Sequence, residues 1–159
     1  MEQLHDGRAF RRGRSFRGKR CLAALLLLLA VMAGCNRERF SFVPVTGKIT
    51  YTDNTLIQAE KIKVRLVALN PAQDGKDFAP AATGEVNPND GTFAGVTSVK
   101  PLDGVVPGRY RVMVMALARN EKPNGAVPAK YLSATQSPLL IEVTREKHDF
   151  PQLQVEKPK

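Results

Sequence analysis

Tryptophan is absent from the 159 residues, and cysteine and histidine occur twice each. Scarce histidine leaves little general-base chemistry, because a Ser-His-Asp arrangement needs an imidazole. Beyond residue 35 the one candidate is His148, between Lys147 and Asp149, and a solvated loop position is expected for it. No Gly-x-Ser-x-Gly elbow presents a nucleophile. Zinc asks for three or four ligands, chiefly N and S, which the single histidine beyond residue 35, with no cysteine beyond it, does not supply. Thirteen acids scattered over residues 35–159 single out no glycosidase pair. There is no Gly-rich phosphate loop. The expectation is no catalytic residues, no metal and no cofactor.

Long helices are missing as well. All eleven prolines lie beyond residue 43 at short intervals, and no window there repeats apolar residues at i, i+3, i+4, i+7 for three turns. Acidic charge is scarce at the N-terminus: residues 1–20 hold seven basic side chains against Glu2 and Asp6. The rest carries 17 basic and 13 acidic residues, so most of the +9 net charge belongs to residues 1–20. With few aromatics and dispersed charge, no nucleic-acid partner is expected.

What is present begins with that basic stretch. Cys21 to Ala33 follows it as thirteen uncharged residues. A bilayer-spanning helix needs about 20 apolar residues, so this length suits a signal-peptide core behind a positive n-region. The run closes on Met32-Ala33-Gly34-Cys35, which resembles the bacterial lipobox, with Met32 where leucine is usual. The resemblance implies that the Cys35 thiol takes a diacylglyceryl group and the chain is cut before it. The implied order is a lipoprotein signal peptide at 1–34, a lipid-anchored tether at 35–41 and a domain at 42–159. General secretion is expected, since Gly13-Arg14 after Arg11-Arg12 does not fit a twin-arginine signal. Cys21 leaves with the leader and Cys35 is acylated, so no disulfide or thiol chemistry remains.

Residues 35–159 suit one domain, and short β-branched runs recur between turn signals. The first runs from Val43 to Tyr51, with Val45, Gly47, Ile49 and Tyr51 on one face. Ile62 to Ala68 alternates apolar residues with Lys63 and Arg65, the pattern of a half-buried strand. Ala82–Val86 and Thr92–Val96 flank Asn87-Pro-Asn-Asp-Gly91, which predicts a tight, positive-φ hairpin turn. Asn87, Asn89 and Asp90 offer oxygens, yet the loop lacks the acidic density and closing Glu of a calcium loop. Gly108 to Ala116 places Tyr110, Val112, Val114 and Ala116 on one face and Met113 and Met115 on the other. Leu139–Thr144 and Phe150–Val155 complete the set, with one helical turn near Pro128-Ala-Lys-Tyr131. The reading is all-β: a seven-stranded antiparallel β-sandwich, prealbumin-like or Ig-like.

Val45-Thr-Gly47-Lys-Ile49-Thr-Tyr51, Asp90-Gly91-Thr-Phe93, Pro107-Gly108-Arg-Tyr110-Arg-Val112, Val127-Pro128-Ala-Lys130-Tyr131, Ser137-Pro138-Leu139 and Phe150 follow one another in order. Together they resemble planctomycete-type bacterial lipoproteins with a carboxypeptidase-regulatory-like, or transthyretin-like, domain. One departure is Asn54-Thr-Leu56-Ile-Gln-Ala59, where that family usually has Gly-x-Pro-Leu-x-Gly-Ala. The resemblance implies a structural sandwich outside the cytoplasm, on the periplasmic or outer-membrane face, and no activity. The expected function is a non-enzymatic, lipid-anchored module for binding or envelope assembly. Its partners are the membrane, through Cys35, and an envelope protein or glycan. The alternatives are a carrier of a small apolar ligand, which a cavity at Met113 and Met115 would favour, and a divergent hydrolase, which carboxylates clustered on His148 would favour.

Overall fold

Alternation of apolar and polar side chains sets most strands, and the burial follows it residue by residue. In β5, Gly108–Leu117, the side chains of Tyr110, Val112, Val114 and Ala116 are buried, while Met113 and Met115 are half-buried opposite them. β2, Lys61–Ala68, buries Ile62, Val64 and Leu66 in the same rhythm. The computed structural model describes residues 40–70 and 77–159. The expected signal peptide at 1–34, Cys35 and the rest of the expected tether up to Arg39 lie outside the described residues.

The remaining strands are β1, Thr46–Tyr51; β3, Ala82–Val86; β4, Thr92–Phe93; β6, Leu140–Val143; and β7, Asp149–Val155. They form two sheets, a three-stranded one in the order β4-β1-β7 and a four-stranded one in the order β3-β2-β5-β6. The helical turn expected near Pro128 is a 3-10 turn over Ala129–Leu132 that buries Tyr131. Among the described residues no α-helix occurs. The chain is therefore all-β. Arg39–Lys159 makes one compact unit. Side chains of both sheets, among them Ile49, Phe93 and Val155 from one and Val64, Val112 and Val143 from the other, share a single buried cluster.

Three expectations are corrected. The sheets are not purely antiparallel, because β1 and β7 pair in parallel, Thr46 opposite Asp149 and Tyr51 opposite Val155. The connection Thr144–His148 carries the chain from the end of β6 into the other sheet, starting β7 beside the start of β1. Both then run the same way. The Asn87–Gly91 turn is tight but joins no hairpin: β3 belongs to the four-stranded sheet and β4 to the three-stranded one. Gly91 has φ of 78°, as expected, and a Cβ there would lie 2.5 Å from the carbonyl oxygen of Ile49. That close approach lets the Ile49 amide bond to Gly91 and hands the chain to β1 instead of back to β3. The following strand is two residues long, and Val96 is buried without belonging to it.

The third correction concerns the first strand. It starts at Thr46, since Pro44 has no amide to continue a ladder. Val43 is held separately, exchanging both backbone hydrogen bonds with Val105 at 2.7 and 2.9 Å. At the other end of β1, the departure after Tyr51 is a turn of its own. Asp53 accepts from the amide and hydroxyl of Thr55, and Asn54 takes φ of 64°.

Candidate functional site

Where β2 ends, β5 begins and β6 ends, the strand ladder leaves a cleft of about 500 Å3. Register puts these ends together: Ala68 opposes Tyr110, and Gly108 opposes Val143. Ala68, Asn70 and Ala79 line one side, and Pro107 to Tyr110 the floor. The segment Glu142–Glu146 forms the other wall, where Arg145 and Glu146 join Glu142, which lies opposite Arg109 of β5 in the ladder. The cleft is thus edged by two cationic and two anionic side chains.

Its chemistry is largely committed inward. The Tyr110 hydroxyl donates to the Val106 carbonyl at 2.6 Å, and burial pushes its phenol up to about 12. Thr144 organises the wall: its hydroxyl oxygen accepts from the Glu146 amide at 3.2 Å and the Lys147 amide at 2.9 Å. Hydrogen bonding to the Thr144 side chain also holds the Glu146 carboxyl below its usual range, helped by the positive field of Arg145. An ionised exposed glutamate with a satisfied neighbour is poorly suited to general-acid work, which needs a raised pKa.

His148 stands just past this wall, half-buried, with Nδ1 3.0 Å from the Arg145 carbonyl oxygen. It closes a turn and does not line the cleft. Among the described residues no three His, Cys, Asp or Glu side chains converge as metal ligands. Asn87, Asn89 and Asp90 do what turn chemistry requires. Asp90 accepts from the amide and hydroxyl of Thr92, which lowers its carboxyl, while Asn87 accepts from the Asn89 amide. Met113 and Met115, the residues whose surroundings would favour an apolar-ligand carrier, do not line the cleft either.

Arg109, Glu142, Arg145 and Glu146 were invisible as a group in the sequence. Each sits in an ordinary solvated strand end or turn, and only the sheet register brings them to one place. Cys35, the one sequence-derived site residue, lies outside the described residues. No family model matches this chain, and neither does any curated protein or solved structure. The family resemblance accordingly rests on the ordered residues quoted above.

Proposed function

We propose that this chain is a lipid-anchored, extracytoplasmic binding or envelope-assembly module and not an enzyme. Its two sheets are read here as the layers of a prealbumin-like sandwich. The shared hydrophobic cluster supports that reading, because a sheet buries an apolar face only against another layer. The anchor is Cys35, supported by the basic n-region, the thirteen-residue apolar run and the small residues before the cysteine. Against catalysis, one observation carries the reading. Tyr110 and Thr144 at the cleft and Asp90 at the Asn87–Gly91 turn spend their polar atoms on neighbouring backbone, and the one histidine among the described residues, His148, closes a turn outside the cleft. The partner is an envelope protein or glycan that meets the Arg109, Glu142, Arg145 and Glu146 rim.

The test starts with processing. Cys35→Ala expressed in a bacterium should accumulate as a heavier, uncleaved precursor, whereas normal maturation would remove the anchor. Crosslinking in intact cells from positions 109 and 145 should yield a discrete envelope product. Turnover abolished by a rim substitution that leaves the fold intact would defeat the non-enzyme reading.

A further inference from the structure

Among the described residues four large apolar side chains are strongly exposed: Phe78, Val99, Leu102 and Leu140. Two of them share the loop Ser98–Asp103, Val99 at 64% and Leu102 at 66% exposure. Such exposure on a loose loop would mean little, but this loop is fixed. The Asp103 carboxylate accepts from the amides of Ser98, Val99 and Lys100 at 2.7, 3.0 and 2.8 Å. Thr97 supplies its hydroxyl oxygen to the Leu102 amide at 3.0 Å. Leu102 itself takes φ of 57°, a left-handed conformation that costs an L-residue energy and persists only where surroundings impose it. The fold therefore keeps Val99 and Leu102 largely exposed on a fixed loop, Leu102 in a strained backbone conformation with its side chain lying over Gly95.

The position of the loop says what covers it. Gly104 and Val105 follow it directly, and Val105 is the residue bridged to Val43, three residues after the described chain begins. Phe40 and Phe42 pack against the core, their rings edge to face at 6.3 Å. The free reach from Cys35 is thereby cut to the five steps before Phe40, or roughly 17 Å fully extended. A surface holding Cys35 lies within that reach of Phe40, three residues before the Val43–Val105 bridge that adjoins the loop. We infer that the Ser98–Asp103 loop is a membrane-seating wedge, whose Val99 and Leu102 side chains enter the lipid interface that holds the acylated Cys35. The inference rests on the anchor proposed above and extends it: the domain has a defined face toward the bilayer. Arg109 and Arg145 at the same end are accompanied by Glu142 and Glu146, while the exposed Lys100 stands between Val99 and Leu102 in the chain, so the loop presents two apolar side chains and one cation.

Because neither Cys21 nor Cys35 leaves a thiol in the mature protein, a single introduced cysteine can be labelled. The full chain is produced in a bacterium as Leu102→Cys, Val99→Cys or, at the opposite end of the domain, Asn89→Cys. Each matured protein is labelled with a polarity-sensitive nitrobenzoxadiazole probe. It is then reconstituted into vesicles of phosphatidylethanolamine and phosphatidylglycerol, and its N-terminal mass is measured. The expected result is a blue-shifted probe at 99 and 102, shielded from aqueous iodide and quenched by spin label on the acyl chains. The probe at 89 stays in water. Probes at 99 and 102 as open to iodide as the one at 89 would overturn the wedge while an acylated Cys35 keeps the anchor. Shielding without quenching by lipid would mean that protein covers the loop, which also overturns it. An unmodified Cys35 would overturn anchor and wedge together. Two label sites guard against one substitution disturbing the loop.

Discussion

Gly104 packs so closely on Val43 that a Cβ at 104 would overlap the Val43 carbonyl oxygen, and its φ is 91°. Backbone touching backbone at this point closes the ladder between Val43 and Val105 and seats the chain just before β1. Neither atom can retreat, because Val43 is bonded to Val105 in both directions.

Gly104→Ala should therefore lower stability by about 2 kcal/mol or more, the sum of left-handed strain and a clash with backbone. Gly125 is the control, with φ of 79° and no atom within 4 Å of the point where a methyl group would stand; Gly125→Ala should cost only about 1 kcal/mol. Urea denaturation of the two variants measures the difference. Equal midpoints would refute the packing argument.

Acid should loosen the loop that Asp103 staples. Burial pushes that carboxyl up, but amide donors from Lys100, Ser98 and Val99 outweigh it and hold it below its ordinary value. A depressed folded pKa adds stability above the ordinary carboxylate value of about 3.9, and that stability is lost as pH falls through the lower folded value. Hydrogen exchange at the amides of Ser98, Val99 and Lys100 should lose protection on acidification below about pH 4. In Asp103→Asn the protection should no longer follow pH.

Alkali acts on Tyr110 with the opposite sign. Its phenol is raised to about 12 by burial, so its contribution is complete below the ordinary tyrosine value of about 10 and fades as pH rises toward the folded value. Tyr110→Phe should remove that dependence and cost about 1 kcal/mol at neutral pH, by leaving the Val106 carbonyl without its donor. Thermal melts from neutral pH into alkali, for both proteins, provide the check.

His148→Ala should leave the melting temperature and the β-type far-UV spectrum unchanged. Its ring meets a backbone carbonyl at the surface, and the turn is held independently by Thr144. A drop in melting temperature of several degrees would show that the imidazole does more than close a turn.

The turn before β1's neighbour shows how far local signals reach. Asn87 to Gly91 has the composition of a positive-φ turn, and Gly91 and the burial of Phe93 at 3% follow from it. Which sheet receives the outgoing strand was not legible there. That choice depends on Ile49, some forty residues earlier, offering its amide to Gly91.

By itself the sequence determined the all-β class, the places of β2, β3, β5 and β7, and the buried faces of β2 and β5. Period-two alternation and proline placement are local properties, written in neighbouring residues. Tertiary structure alone decided the parallel pairing of β1 with β7, the crossing of the chain between sheets at Gly91, and the clash that requires glycine at 104. It also decided that Arg109, Glu142, Arg145 and Glu146 share one cleft, and that Gly104 and Val105, next in the chain after the Ser98–Asp103 loop, meet Val43. Each of these joins residues far apart in the chain, and such contacts are fixed by register and packing, which no stretch of sequence contains on its own.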